Sequence, residues 1–489
     1  MTPMQELTAI SQECCRLSEI ESLLSWDLET QLPKNAAEGR AAQSEIITKY
    51  LHQIRTSPRM SQLLTQCQAD TELSEDERAL VDTMQWVYDR ISKIPEAHSM
   101  LESRLTTLGM QAWVEARTTE DFSRFAPILT QLFALTRERA ELIGYTGHIY
   151  DALLEGHARG MTVELVDREF EKLKKVLIPL IKSRMKQQKT SIIGSEFDVT
   201  MQKKFGKYLL QTIGYDFDRG GLGTVRHPFM TDLGPQDKRV ANRYSASSFH
   251  SFFSALHEGG HALYEQGVTE NYQQNDLSKH FSLAIHESQS RLYENIVGKS
   301  TEFWMGGPYQ ELQTHFPTQF KPLSLTQFID HIHEVRPVMI RVDSDELTYD
   351  LHIIIRYEIE KMVLTGECEV ADIPQIWNQK YSEYLGLEPQ NLAEGCLQDV
   401  HWSIGAIGYF PTYTLGNINA SQIWHTFVQS HPTWRADFAA GNTTILREWL
   451  QTNIHQYGSS VHPVELLKRL CNEELNSDYY IQRLTERYL

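Results

Sequence analysis

The sequence predicts a large, mainly α-helical protein with only a small β-element. Apolar residues recur at the 3.6-residue period of a helix through most of the N-terminal part. Extended segments are expected only at 227–229 and 238–244, after a glycine-rich run that excludes a regular helix. No internal repeat and no low-complexity linker divides the sequence. We therefore predict one domain over 1–489, with a helical part at 1–200 and a part at 201–489 that carries the functional site.

The segment 77–94 shows how the individual helices are recognised. Its apolar residues keep the helical period, and Pro95, which cannot continue a helix, marks its end. The same pattern predicts further helices at 4–25, 36–56, 98–118, 122–144 and 162–187. The segment 419–489 returns to helical periodicity and is expected to close the fold.

Composition argues against several classes of function. The 489 residues include 46 basic and 64 acidic side chains, a net charge of -18, which disfavours nucleic acid and anionic membranes as main partners. No run approaches the roughly 20 apolar residues of a membrane span. The amphipathic start, 1–24, lacks the apolar core of a signal peptide. The six cysteines have no disulfide-framework or metal-site spacing, so we predict reduced thiols and a cytoplasmic protein.

The functional prediction rests on the stretch His257-Glu258-Gly259-Gly260-His261. It has the form His-Glu-x-x-His, and residues four apart on a helix share a face, so both imidazoles can bind one metal ion. The glutamate beside them can act as general base toward a water that the metal activates. The alternative is two ordinary surface histidines, because a chain with 19 histidines contains this short pattern by chance about one time in twenty.

The surrounding residues favour the metal site. Phe249, Phe252, Leu256 and Leu263 recur at helical spacing, which places the motif in an apolar, buried helix. Two histidines and a glutamate buried without a shared partner would be unfavourable. Each glycine in a helix interior costs about 1 kcal/mol relative to alanine. The two glycines of the motif therefore indicate that something approaches this helix closely.

A catalytic zinc ion needs a third protein ligand, which the spacing alone does not identify. The downstream candidates are Glu265, Glu270, His280, His286, Glu287 and Glu294. Glu265 lies on the same helix, four residues after His261, and cannot easily close a tetrahedral site. Glu287 begins a new helical run with Arg291 one turn later, and His286 is its main rival.

Two later segments contain candidate substrate-binding residues. The segment 340–358 includes Arg341 and Arg356 and is interpreted as a helix with a solvated acidic face. The segment 395–413 is rich in glycine and aromatic residues and is interpreted as a loop that lines a pocket. The β-element ahead of the metal helix can form one wall of a cleft and bind substrate backbone as an added strand.

Taken together, these residues resemble the M32 family of metallocarboxypeptidases, the thermostable carboxypeptidase Taq type. The resemblance covers nearly the whole chain, including 26–43, 216–229, the metal motif and 286–291. Two loops are much more specific than the metal motif, and they read Ile340-Arg341-Val342-Asp343-Ser344-Asp345 and Gly395-Cys396-Leu397-Gln398-Asp399-Val400-His401-Trp402. Ser344 stands where the family usually has alanine, a small change that leaves the charged residues of the loop in place.

The resemblance implies a helical, saddle-like fold with a deep groove, usually as a homodimer. It implies a carboxypeptidase of broad specificity with one metal ion per subunit. Zn²⁺ is the expected ion, and Co²⁺ or another divalent ion is able to replace it. It assigns the third ligand to Glu287. It also implies that Arg341 and the loop around His401 close the groove and meet the free C-terminus of a peptide substrate.

The predicted enzyme is thus a zinc carboxypeptidase in which Glu258 is the catalytic base and the metal is held by His257, His261 and Glu287. Arg341, or less favourably Arg356, would bind the terminal carboxylate as a bidentate pair.

Some assignments stay open. Arg341 has an alternative role as a structural partner of Asp343 or Asp345. His401, Tyr409 and Tyr413 are candidates for stabilising the oxyanion, and their sequence does not choose among them. Two other functions are also considered, a zinc oligopeptidase that cuts internally and a non-catalytic helical protein with a relic metal site. The general base in the motif argues against a relic.

Overall fold

The computed structural model of the protein is mainly helical and describes residues 1–184, 196–280 and 282–489. In these residues the α-helices, labelled α1 to α22, are Pro3–Thr30, Ala37–Arg55, Pro58–Gln68, Glu75–Ser92, Glu96–Thr119, Ala126–Ile143, Asp151–His157, Val163–Arg184, Val199–Thr212, His250–Gly267, Leu283–Arg291, Thr301–Met305, Pro308–His315, Pro317–Phe320, Leu325–Ile332, Glu346–Thr365, Ile373–Leu385, Pro411–Ser430, Trp434–Ala439, Thr444–Asn453, Pro463–Cys471 and Asp478–Tyr488. The strands β1 to β3 are Leu222–Thr224, Phe229–Asp232 and Lys238–Asn242. The predicted fold class is confirmed.

The helices predicted in the N-terminal part are present, and local capping explains several of their ends. Helix α4 corresponds to the predicted 77–94. Its start is fixed because the Ser74 side chain accepts from the Glu77 N–H while the Glu77 side chain accepts from the Ser74 N–H. Helix α1 continues past the predicted end at residue 25 because no helix-breaking residue precedes Pro33. Helix α8 matches its prediction as far as Arg184, and the predicted residues 185–187 lie outside the described part.

The three strands form one small sheet in the order β1-β3-β2. Strand β3 is parallel to β1, with Leu222 opposite Val240, and antiparallel to β2, with Phe229 opposite Ala241. Strand β1 lies in the glycine-rich run, where no strand was predicted. A Cβ atom at Gly223 would lie 2.8 Å from the ring of Trp26 in α1, so glycine lets this strand pack against the N-terminal helix.

Helix α16 runs through the main core, and the predicted solvated acidic face is wrong. Glu346 and Asp350 are both buried. Glu346 pairs with Arg483 at 2.6 Å and with Arg487 at 2.5 Å, and Asp350 accepts a hydrogen bond from the Tyr480 hydroxyl at 2.5 Å. Helical periodicity shows which residues share a face, but it does not show that a distant helix supplies their partners. The C-terminal helix α22 therefore closes the fold over this face, as expected for the C-terminal segment.

A smaller apolar core is formed by α1, α3 and α4 through residues such as Leu7, Leu63 and Leu80. Asp276 joins α1 and α2 to the rest of the molecule, since it accepts from the Ser11 hydroxyl of α1 at 2.8 Å and pairs with Arg55 of α2 at 2.7 Å. The division into parts 1–200 and 201–489 of a single domain stays a prediction. Among the described residues, no helix is both long enough and apolar enough to cross a membrane.

Candidate metal centre

The three residues predicted as metal ligands lie together. Helix α10 presents His257 and His261 on one face, and Glu287 of α11 points its carboxylate toward both rings. The Glu287 Oε2 atom is 3.6 Å from His257 Nε2 and 3.3 Å from His261 Nε2. Ligand atoms at about 2.0–2.1 Å from a tetrahedral zinc ion lie about 3.3–3.4 Å apart. The donor set and its spacing therefore fit a zinc ion.

Glycines allow the helices around this centre to approach closely. A Cβ atom at Gly260 would lie 2.4 Å from the carbonyl oxygen of Gln289 in α11, and one at Gly259 would lie 2.7 Å from side chains of α9. Gly416 of α18 is equally constrained, because a Cβ there would lie 2.4 Å from Glu287 Cγ. The interpretation that the glycines of the motif mark a close approach is confirmed.

His257 is oriented by a carboxylate outside the ligand set. Its Nδ1 lies 2.8 Å from Glu294 Oε2, so a ring that binds an ion through Nε2 donates its Nδ1–H to this carboxylate. Glu294 lies in a π-helical segment, Leu292–Val297, that continues α11. Arg291 holds both carboxylates, since its Nε is 2.5 Å from Glu287 and its Nη1 is 3.2 Å from Glu294. Glu294, a ligand candidate by sequence, thus lies behind a ligand.

His261 is oriented by His286, the main rival for third ligand. The Nδ1 atoms of the two rings are 2.5 Å apart, and His286 Nε2 is 3.1 Å from Glu265 Oε1. If His261 binds an ion through Nε2, its Nδ1–H donates to His286 Nδ1, and His286 then donates from Nε2 to Glu265. The structure therefore places His286 in contact with a ligand of the centre.

Burial and neighbouring carboxylates shift the pKa values of the groups at this centre. Burial raises the pKa of Glu258 to about 7, and the carboxylates of Glu287 and Glu294 act in the same direction. Burial by itself would lower the pKa of His257, but the same two carboxylates raise it to about 9. Burial lowers the pKa of His261 to about 3. The carboxylates of Glu287 and Glu294 therefore favour positive charge at the imidazole of His257, which either a proton or a divalent cation can supply.

The two candidate arginines share one carboxylate. Arg341 donates to Asp399 Oδ1 from Nε at 3.1 Å and from Nη2 at 2.8 Å. Arg356 donates to Asp399 Oδ2 from Nε at 2.6 Å and is completely buried, with its guanidinium 4.4 Å from the Trp377 ring centre. The structural partner of Arg341 is thus Asp399, and the pairing with Asp343 or Asp345 considered from the sequence is wrong.

Tyr349 connects Arg341 to the predicted metal ligands. Its hydroxyl accepts a hydrogen bond from Arg341 Nη1 at 3.1 Å and another from Arg291 Nη2 at 2.9 Å. Because Arg291 also binds Glu287, the path from Asp399 to a metal ligand consists of direct contacts between buried side chains. The sequence reasoning missed the role of Tyr349, because nothing in a helical pattern distinguishes this tyrosine from a core residue.

The other predicted substrate-binding residues form an aromatic cluster beside these arginines. His401 Nε2 lies 3.3 Å from the Tyr413 hydroxyl, and the ring of Tyr409 is 5.3 Å from that of Tyr413. The guanidinium of Arg341 lies 5.2 Å from the Tyr413 ring centre. Only part of the cluster is on a loop, because Tyr413 lies in the first turn of α18.

Comparisons with known proteins give matches over the full length. Residues 6–488 match the family described as Carboxypeptidase Taq (M32) metallopeptidase. Carboxypeptidase 1 of Bacillus subtilis (strain 168) is 41% identical over 476 residues, covering 96% of this chain and 95% of the relative. Thermostable carboxypeptidase 1 of Thermus thermophilus is 34% identical, covering 100% and 99%. The crystal structure of the M32 carboxypeptidase from Deinococcus radiodurans R1 matches with a TM-score of 0.97 at 34% identity, covering 100% and 99%.

Proposed function

The chain belongs to the M32 family of metallocarboxypeptidases, and from this premise we propose that it is a zinc enzyme that releases C-terminal residues with broad specificity. One observation carries the proposal. The His257, His261 and Glu287 side chains converge at zinc-like spacing, and buried contacts lead from them to Arg341, a candidate for binding the terminal carboxylate.

The donor set of two imidazoles and one carboxylate suits zinc, and Co²⁺ accepts the same ligands. A zinc ion bound here, one per subunit, would polarise the scissile carbonyl and acidify a water molecule. The chain itself keeps the ligands in place: Glu294 and His286 fix the two imidazoles through their Nδ1 atoms, and Arg291 fixes the carboxylate of Glu287.

We assign the role of general base to Glu258. It accepts a proton from the attacking water and passes it to the amine of the departing residue. Its neighbourhood supports this role, because burial raises the pKa of its carboxyl to about 7 in the metal-free protein, and a nearby cation favours its carboxylate form. The group is thus able to hold and to release a proton near neutral pH.

We propose that Arg341, rather than Arg356, binds the terminal carboxylate of the substrate. Arg341 uses three of its N–H groups, two toward Asp399 and one toward Tyr349. A guanidinium has five N–H groups, so one remains on each terminal nitrogen and can donate to a carboxylate. Arg356 is completely buried behind Asp399 and holds that carboxylate in place.

We propose that Tyr413, Tyr409 or both stabilise the developing oxyanion. Their hydroxyls lie in the aromatic cluster beside Arg341, and burial raises the pKa of Tyr409 to about 12, which keeps this hydroxyl a donor. His401 orients Tyr413 through its Nε2 contact of 3.3 Å.

The deciding experiment follows the products of a peptide ladder by mass spectrometry, with and without a chelator, using matched peptides that end in a free acid or an amide. We expect residues to be lost one at a time from the free-acid peptides and no loss with the chelator. Internal cuts, or equal cleavage of the amides, would favour the oligopeptidase instead. A bound metal without any cleavage would favour the relic.

We further propose a homodimer in the cytoplasm. Helix α2 has no buried residue, and Ile46 and Tyr50 on it are each 55% exposed, which supports an unpartnered surface. All six cysteines lie among the described residues and none forms a disulfide, which supports a reducing compartment. Light scattering after gel filtration tests the first proposal, because a monomer at micromolar concentration contradicts it. Cell fractionation tests the second.

A further inference from the structure

We propose that Glu265, His280 and His286 form a second metal site, behind the catalytic one, for a divalent ion of the zinc class. The Glu265 carboxylate lies between the two rings, with Oε1 at 3.1 Å from His286 Nε2 and Oε2 at 3.4 Å from His280 Nε2. One ligand atom from each residue lies within 4.8 Å of the others. The two carboxylate–imidazole distances are close to the separation of donors around a tetrahedral zinc ion, about 3.3–3.4 Å.

Buried atoms without partners make this cluster different from an ordinary hydrogen-bond network. Among the described residues, Glu265 Oε2 and both ring nitrogens of His280 are buried and have no hydrogen-bond partner. The His280 side chain is only 4% exposed, and the Tyr264 ring packs on it with 4.0 Å between ring centres. A buried polar atom left unpaired costs about 1–3 kcal/mol. An ion between the rings and the carboxylate would bind two of these three atoms.

The donor types define the class of ion. Two imidazole nitrogens and one carboxylate oxygen suit zinc, cobalt or nickel, whereas calcium and magnesium prefer a full set of oxygens. A cavity of about 20 Å³ borders His280, Tyr264 and Ser282, and a space of this size can hold one water molecule beside His280. Lys238 lies 3.9 Å from Glu265 Oε2, and its positive charge opposes an ion there. We therefore expect the second site to bind more weakly than the first.

The two sites share a contact that makes the second one inhibitory. An ion that binds neutral His286 through Nε2 moves the ring proton from Nε2 to Nδ1. His286 Nδ1, 2.5 Å from His261 Nδ1, then no longer accepts the hydrogen bond from His261, so the second ion removes the contact that orients a proposed catalytic ligand. Zinc in excess should lower activity in parallel with occupancy of the second site. This consequence rests on the proposed function, whereas the second site itself does not.

The test is a titration of the metal-free protein with Zn²⁺ alone, in competition with a chromophoric chelator. We expect the wild-type protein to bind one ion tightly and a second at least tenfold more weakly. His280→Gln removes a ligand of the second site without touching His261 or His286, so it should bind one ion with unchanged tight affinity and should resist inhibition by excess zinc. His425→Gln, outside the cluster, is the matched control and should bind two.

Two outcomes overturn the second site: one ion in the wild-type protein, or two in His280→Gln. Equal inhibition of the two proteins by excess zinc overturns its inhibitory role. Anomalous scattering at the zinc edge from wild-type crystals grown with excess zinc tests it without any variant, because a peak is expected between Glu265 and His280. If His280→Gln does not fold, this measurement decides alone. Failure of the proposed function would instead appear as loss of the tight ion or of hydrolysis in the untreated wild-type protein.

Discussion

At the scale of single residues, Glu258 and Glu287 are buried side by side, yet their surroundings favour different protonation states. Burial raises the pKa of Glu258 to about 7. Burial acts in the same direction on Glu287, but Arg291 and His257 outweigh it and hold the pKa of that carboxyl well below its usual range. Two carboxyl groups with separated pKa values can hold different protonation states at one pH and so take different chemical roles. This difference suits the proposed roles, in which Glu287 binds metal as an anion and Glu258 exchanges a proton.

Glu258→Gln should abolish nearly all turnover while the metal content stays the same. The change removes proton transfer, a contribution of about 10²–10⁴ in rate, and leaves the three proposed ligands intact. Steady-state kinetics and metal analysis on the same sample check both halves. Glu270→Gln, at an exposed position after α10, is the control and should retain full activity. Wild-type turnover in the Glu258 variant would show that Glu258 is not the general base.

Glu287→Ala should lose the tightly bound metal, whereas His286→Ala should still take up one equivalent at saturation. His286 contacts His261 rather than the ion, and loss of such an outer partner lowers affinity by about 10–100-fold without removing a ligand. Chelator competition measures both variants. Stoichiometric tight metal in Glu287→Ala, or none at all in His286→Ala, would reverse the assignment of the third ligand.

Arg341→Ala should lower kcat/KM on free-acid peptides by about 30-fold to several-thousand-fold, since losing one partner of a buried charge pair costs about 2–5 kcal/mol. Peptides with amidated ends should be affected little, and zinc content should not change. Asp399 keeps Arg356 as its partner in this variant, so the site is not left with an unpaired carboxylate.

The matched measurement is kcat/KM for acid and amide versions of one peptide with both enzymes. Equal losses on the two peptides would show that Arg341 has only a structural role.

At the scale of elements, the sequence predicts what depends on local pattern and misses what depends on distant partners. The helix that carries the metal motif follows from apolar spacing, and its glycines correctly indicate close packing. The π-helical segment Leu292–Val297 has no sequence signal of this kind, yet it places Glu294 behind His257. The sequence pattern also does not predict the hydrogen bonds of Tyr349 with two arginines, because they join residues from three segments of the chain.

Gly260→Ala should push α10 and α11 apart. The new Cβ would lie 2.4 Å from the Gln289 carbonyl oxygen and 2.7 Å from Ser290 Cα, and neither backbone atom can move freely. Overpacking of this kind costs about 1–3 kcal/mol, and we expect weaker metal binding as well because Glu287 moves with α11.

The control for this change is Gly39→Ala in α2, where no atom lies within 4 Å of the added Cβ. There the helix should gain up to about 1 kcal/mol from alanine. Urea unfolding and chelator competition compare the two variants. Equal stability in both would show that the helices tolerate the larger separation.

At the scale of the whole molecule, the ends of the chain are tied to the core by buried ion pairs. Asp276 forms an ion pair with Arg55 of the N-terminal helices, and Glu346 forms ion pairs with Arg483 and Arg487 of the last helix. Such pairs add little when both partners are replaced by apolar groups, but removing one partner leaves a buried charge uncompensated. Stability should therefore depend on pH at Glu346.

Glu346→Gln should remove part of the loss of stability in acid. Burial would raise the pKa of this carboxyl, but Arg483 and Arg487 outweigh it and depress the pKa in the folded state. A depressed folded pKa gives stability that is fully present above the unfolded value, near 4.5, and is lost as the pH falls toward the folded value.

We expect the variant to be less stable than the wild type by about 3–5 kcal/mol at pH 7, with a smaller difference near pH 3. Denaturant unfolding at both pH values measures this. A difference that stays constant across the range would show that Glu346 does not keep its charge when the protein is acidified.

The hydroxyl of Tyr349 accepts from two guanidinium groups. One belongs to Arg341, which is proposed to bind the substrate terminus, and the other to Arg291, which contacts the proposed metal ligand Glu287. A ligand that moves the Arg341 guanidinium weakens its hydrogen bond to Tyr349. The Tyr349 hydroxyl can then bind Arg291 differently, and the position of Arg291 in turn affects the carboxylate of Glu287. Cooperativity between two binding events is reciprocal. If bound metal raises the affinity for a terminal carboxylate, a bound carboxylate raises the affinity for metal by the same factor. A free amino acid, the product of the reaction, should then slow the escape of the ion to a chelator.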